Sequence, residues 1–174
     1  MLSEGIIKRA AKFAADAHKD QRRKYTGESY IVHPVQVASL VAAVVDDPRV
    51  VAAALLHDTV EDTPVSDADI RRLFGNRVAD MVAEVTDVSR PQDGNRKTRK
   101  ALDRDHLARA SAEAQTIKLA DLIDNSDSIL AHDLKFAVVY LREKKELLEV
   151  LTKGDAGLLQ QARRIVETFE EGER

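Results

Sequence analysis

Apolar residues recur along this chain mostly at helical spacing. From about Ser3 to Asp20, Ile6, Ile7, Ala10, Phe13, Ala14 and Ala17 line one face at steps of three and four, with Ser3 placed as an N-cap. The periodicity stops between Gln21 and Tyr30, and Gly27 marks a turn in a loop there. Pro34 suits the first turn of a second helix, in which Val35, Val37, Ala38, Leu40, Val41, Val44 and Val45 are hydrophobic nearly all round, predicting a central element. Asp46-Asp47-Pro48 interrupts it, and the uncharged run Val50 to Leu56 reads as a buried helix continuing to about Asp62, where Thr63-Pro64 ends it. Ser66 to Asp69 opens another helix that stops at Gly75, and Asn76 or Arg77 to Val88 gives the next. Ser89 to Lys100 is the most polar and turn-rich passage, a loop running into a helix start. Helices are expected over Ala114 to Leu130, Leu134 to Thr152 and Asp155 to Phe169, with Lys153-Gly154 separating the last two. Every periodic segment reads as a helix, so the pattern predicts an all-α chain.

The most informative point is where the apolar run ends. Leu55-Leu56 is followed by His57-Asp58-Thr59-Val60-Glu61-Asp62, which brings ionisable groups to the end of a buried element. Burying such groups without compensation costs several kcal/mol (roughly), so a cation or a hydrogen-bond network is expected beside them. On a continuous helix His57 would share a face with Glu61, and Asp58 with Asp62. His33, before Pro34, and Asp121, in Ile117-Lys118-Leu119-Ala120-Asp121, sit in similar apolar settings and are the candidate ligands from other elements. Asp121, Asn125 and Ser128 form a polar stripe inside an apolar helix, the pattern of a cavity wall. His18, beside the first apolar stripe, is expected to be a packing or surface residue.

Composition narrows the chemistry. At 174 residues one domain, spanning 1–174, is expected. Hydrophobic residues make up 44% but aromatic ones only 4%, so the core must be close-packed Ala, Val, Leu and Ile. A net charge of −3 argues against a generally basic nucleic-acid binder and directs attention to local clusters. One is Arg22-Arg23-Lys24, directly before His33; another is Arg90, Arg96, Lys97, Arg99 and Lys100, able to close over phosphates. The absence of cysteine excludes thiolate metal sites, and no apolar run approaches the ~18 residues of a membrane span. A cytoplasmic protein with neither a membrane nor a nucleic-acid partner is expected.

Taken in order, His18…Gln21-Arg22-Arg23-Lys24, Gly27, Tyr30-Ile31-Val32-His33-Pro34, Ala54 through Thr63, Phe74-Gly75, Glu84-Val85-Thr86 and Lys118-Leu119-Ala120-Asp121 with Asn125 resemble the HD superfamily of metal-dependent phosphohydrolases. Within it they are most similar to the hydrolase domain of RelA/SpoT alarmone enzymes and its stand-alone small forms. The resemblance implies a single-domain HD-type helical bundle, with His33, His57, Asp58 and Asp121 as ligands of one divalent ion, usually Mn2+. It assigns Glu61 and Asp62 to the attacking water, and Arg23, Lys24, Asn125, Ser128 and Tyr140 to the nucleotide; the second cationic cluster adds Lys97. The implied reaction removes pyrophosphate from the 3′ position of (p)ppGpp, a hyperphosphorylated small molecule.

The chain departs from the family pattern at Leu122, Asp124 and Ser126-Asp127, which lowers the cation density near the nucleotide, and at Ser29. Other readings are a (p)ppApp-selective hydrolase, a phosphatase for NADPH or a deoxynucleotide, and a non-catalytic nucleotide sensor. Retention of both Glu61 and Asp62 favours catalysis.

Overall fold

A computed structural model of the chain describes residues 2–172, with side chains from residue 5, so the capping role expected of Ser3 lies outside the described side chains. Two compact units divide it, residues 1–86 and 87–174. The all-α expectation is met: among the described residues every regular element is helical, and extended pairing is confined to one isolated bridge, Arg22 to Ser29.

In the first unit the helices are α1 (Leu2–Ala17), α2 (Val32–Ala42), α3 (Pro48–Leu56), α4 (Thr59–Asp62), α5 (Asp67–Phe74) and α6 (Asn76–Val85). The central helix is α3, not α2. All seven residues from Val50 to Leu56 are buried, and α3 packs against α1, α2 and α6. Val35 and Val44 of the α2 region are 44% and 42% exposed, so α2 buries one side only, despite its uniform hydrophobicity. A leucine sealed as Leu56 is adds roughly 1.5–3 kcal/mol through burial. Asp47 starts α3: its carboxylate accepts from Arg49 N at 3.0 Å, and Pro48 follows at the first helical position. Arg77 of α6 lies 3.0 Å from the same carboxylate.

The expected continuous helix through His57 is broken. Helix α3 stops at Leu56, and α4 is a separate single turn starting at Thr59. Side chains take the carbonyls freed by the break: His57 Nδ1 is 2.8 Å from Ala54 O, and Thr59 Oγ1 donates to Leu56 O at 2.6 Å. Helix α1 ends at Ala17 rather than Asp20, since Gln21 N turns back to His18 O at 2.9 Å. The Ser66–Asp69 capping box opens α5, and Gly75, at φ 88°, takes the left-handed conformation between α5 and α6.

In the second unit a 3-10 turn (Pro91–Asp93) precedes α7 (Arg96–Arg109), α8 (Ala112–His132), α9 (Leu134–Leu148) and α10 (Ala156–Gly172). The polar passage is thus partly helical: Asn95 caps α7 by accepting from Thr98 N at 3.0 Å, which puts Lys97 in its first turn. Buried Asp103 pins the preceding segment, accepting from Val88 N, Ser89 N and Ser89 Oγ at 2.9–3.1 Å. Helix α8 is fixed by polar staples as well as by packing on α9 and α10. Gln115, fully buried, donates to Leu107 O and accepts from Lys153 N, while Thr116 Oγ1 accepts from Asp155 N. A Cβ at Gly154 would lie 2.7 Å from Leu119 Cδ1 and 3.1–3.2 Å from the Gln115–Thr116 backbone, so glycine suits this close approach of the turn to α8.

Candidate metal centre and its surroundings

Three sequence-predicted ligands converge in the first unit. One ligand atom from each of His33, His57 and Asp58 lies within 4.8 Å of the others. His33 and His57 are 1% and 3% exposed, their Nε2 atoms are 3.5 and 3.1 Å from Asp58 Oδ2, and the rings meet edge to face at 5.2 Å.

The break after α3 creates this geometry. His57 occupies the C-cap of α3; the contact of its Nδ1 with the Ala54 carbonyl, which can only accept, puts the proton on Nδ1 and turns Nε2 toward Asp58. Asp58 sits at the N-cap position of α4 but makes no capping bond there, so its carboxylate is available to the cluster. Tyr30 donates its hydroxyl to Asp58 Oδ2 at 2.6 Å. Two imidazole nitrogens around a carboxylate oxygen form a donor set suited to a divalent first-row ion, and the carbonyl and phenol bonds orient these ligands.

Glu61 and Asp62 are exposed on α4, the next turn of chain. Asp62 Oδ2 accepts from Gln21 Nε2 at 3.1 Å. The loop carrying Arg23 and Lys24 closes on itself: Arg23 N donates to Glu28 O, Gly27 N to Arg23 O and Tyr30 N to Gln21 O, with Gly27 at φ 71°. This closure holds Gln21 and Tyr30 at its two ends. Lys24 Nζ lies over the Tyr25 ring at 4.9 Å. Sequence reasoning gave Gln21 and Tyr30 no role of their own, although both lie in the stretch that carries the family resemblance.

The second unit holds the other predicted residues. Asp121, 5% exposed on α8, accepts from Lys118 Nζ at 2.8 Å and Asn125 Nδ2 at 2.6 Å, so the first two members of the polar stripe pair directly. Ser128 is half-buried, and its backbone carbonyl is 2.9 Å from His132 Nδ1. Tyr140, on α9, is 8% exposed; burial, then the charge of Asp121, raises its pKa. Lys97 is exposed on α7.

Lys144, which the sequence did not mark, joins two cations that it did, Lys100 and Lys118. Lys100, Lys118 and Lys144 line a cavity of about 70 Å3 with Asp87 and Asp103. Lys144 rests on the Tyr140 ring at 4.8 Å, and burial, then Lys118, pushes its pKa down to about 8.

The grouping of His33 with His57-Asp58 is that of a candidate metal-binding class, and the comparisons name it. The chain belongs to the HD domain family, which matches residues 10–164. It is 42% identical over 117 residues to the guanosine-3′,5′-bis(diphosphate) 3′-pyrophosphohydrolase MESH1 of Drosophila melanogaster, covering 66% of this chain and 64% of that protein. To the guanosine-3′,5′-bis(diphosphate) 3′-pyrophosphohydrolase of Aquifex aeolicus it is 38% identical over 140 residues, covering 80% of this chain and 19% of that protein. The chain therefore spans less than two thirds of these relatives. A solved structure, described as a metazoan ortholog of SpoT that hydrolyzes ppGpp, superposes with a TM-score of 0.84 at 31% identity, covering 94% of each chain.

Proposed function

We propose that this protein is a metal-dependent hydrolase that removes pyrophosphate from the 3′ position of (p)ppGpp, leaving GDP or GTP. The observation that carries the reading is the convergence of His33, His57 and Asp58. The names of the relatives in Drosophila and Aquifex support the substrate. We read residues 1–174 as one HD domain, since the family match runs through both units.

His33, His57 and Asp58 hold the divalent ion, with Asp121 as the fourth ligand on the strength of the family resemblance. Manganese fits the imidazole donors better than magnesium, which prefers an all-oxygen shell. The ion supplies positive charge for phosphate oxygens and acidifies water. Glu61 and Asp62 orient the attacking water and take its proton as the water oxygen bonds to phosphorus and the bond to the 3′ oxygen breaks; pyrophosphate leaves and the proton passes to the 3′ oxygen. Arg23, Lys24 and Lys97 bind phosphate oxygens; Asn125, Ser128 and Tyr140 hold the nucleoside.

Among the described residues no helix is long and apolar enough to cross a membrane, and a chain without cysteine suits a reducing cytoplasm. The adenine-selective reading relies on Asp124 or Asp127 reaching the base. Asp127 is exposed and Asp124 half-buried, so Asp124 is the carboxylate on which this reading depends.

The test is to incubate manganese-loaded protein with ppGpp, ppApp and NADPH and measure the product of each. Pyrophosphate release from ppGpp, abolished by chelation, is expected. Turnover after exhaustive chelation overturns the metal assignment, and nucleotide binding without turnover makes the protein a sensor. A preference for ppApp that Asp124→Asn removes establishes the adenine reading.

A further inference from the structure

His18 and Gln21 are the part of the site-bearing unit that the mechanism above does not use. His18 is 1% exposed at the end of α1, and its Nδ1 lies 2.7 Å from Gln21 Oε1. The other end of the same amide, Nε2, donates to Asp62 Oδ2 at 3.1 Å. Gln21 has little freedom to leave: its backbone N–H donates to His18 O, and its carbonyl accepts from Tyr30 N. Tyr30 packs against the His18 ring, centroids 4.8 Å apart and planes tilted by 38°, and donates its hydroxyl to Asp58.

A carboxylate only accepts hydrogen bonds, so Gln21 must turn its NH2 toward Asp62 and its oxygen toward His18. That oxygen needs a donor, which puts the His18 proton on Nδ1. His18 Nε2 is buried and makes no hydrogen bond among the described residues. A buried polar atom left in that condition is costly, and a ring serving only to fill space would be replaced by an apolar one at lower cost.

We propose that His18 and Gln21 are positioning residues for Asp62: the buried imidazole decides which end of the Gln21 amide faces the carboxylate, and the amide holds that carboxylate for the attacking water. The inference rests on the role given to Asp62 above. Neither residue touches the substrate. Because one carboxylate oxygen is engaged by Gln21, the other is left to receive the proton.

The test uses the full chain loaded with manganese. Gln21→Ala and His18→Ala are expected to lower kcat about 10- to 100-fold, with KM within about threefold of wild type and metal content unchanged. Gln21→Glu sets a carboxylate against Asp62 and falls at least as far. His18→Asn, whose amide N–H can replace Nδ1–H, is expected to stay within about threefold of wild type. In an Asp62→Asn background Gln21→Ala should cost nothing further; a loss that multiplies with it overturns the proposal. Nitrogen NMR of the metal-free protein reads the His18 tautomer directly: Nδ1–H is expected, and Nε2–H overturns the assignment even if His18→Ala does not fold.

A lowered melting temperature with unchanged kcat in Gln21→Ala shows a structural role and overturns the proposal. If Asp62→Asn is slow while Gln21→Ala turns over normally, the positioning role alone fails. If Asp62→Asn keeps full kcat, the role of Asp62 fails and the positioning role with it.

Discussion

Each of the two units partners a key carboxylate in a different way. Asp58 in the first meets two imidazoles and a phenol, whereas Asp121 in the second meets an ammonium and a carboxamide. The first arrangement gathers ligand atoms around one oxygen. The second supplies positive charge from the chain itself, through Lys118. A cluster rich in lone pairs calls for a cation from outside, while a carboxylate already neutralised by an ammonium is stable without one. The units therefore differ in how much of a metal site is preformed in each.

The sharpest way to break this contrast is to remove the carboxylate at its centre. Asp58→Ala should lose bound metal and activity together, by more than the roughly 10- to 100-fold that changes beyond the ligands cost, while Glu61→Gln keeps the metal and loses turnover. Elemental analysis alongside kcat decides it, and equal metal loss in both variants would make Glu61 a ligand.

Next in size is Tyr30→Phe, which deletes the hydrogen bond to Asp58 but retains the ring against His18 and His33. Metal affinity should fall about 10-fold or somewhat more, as titration calorimetry would show; unchanged affinity would make the phenol a packing group.

In the second unit the effect is on stability. Lys144 has its pKa lowered from 10.5 to about 8, so between those values the unfolded chain binds more protons and folding becomes more favourable as pH rises. Below pH 8 the full cost of the buried ammonium is present. Lys144→Met should therefore stabilise at pH 7, by about 2 kcal/mol after allowing for partial exposure, with the gap to wild type closing as pH approaches 10.5. Denaturant unfolding at several pH values measures this, and a gap independent of pH refutes it.

Smallest is Tyr140→Phe. The hydroxyl is buried, and Ser126, the side chain beside it, already donates to Leu122 O, so removing the Tyr140 hydroxyl should change stability by about 1 kcal/mol or less. A rise in KM for the nucleotide in that variant would support the substrate role proposed for Tyr140.

Much of the helical frame was legible in the sequence because it depends on local spacing and caps. The Ser66 capping box, the Gly75 stop and the buried Val50 to Leu56 run each follow from a few adjacent residues. The grouped candidates His33, His57 and Asp58 were legible too, as polar groups set inside or directly after apolar runs. The local path through them was not. A continuous helix through Asp62 was expected; the break after Leu56 depends on the His57 ring folding back onto Ala54 and on Thr59 taking the Leu56 carbonyl.

Composition and periodicity by themselves determined an all-α chain with a core of small aliphatic residues, and the family resemblance marked the residues for the chemistry. Only the tertiary structure decided that α3, rather than the equally hydrophobic α2, is the core helix, because burial depends on how many neighbours a helix meets and not on its own composition. It also decided the partners of the site carboxylates. Gln21 meets Asp62 across 41 residues and Tyr30 meets Asp58 across 28, separations over which no local pattern in a sequence carries orientation.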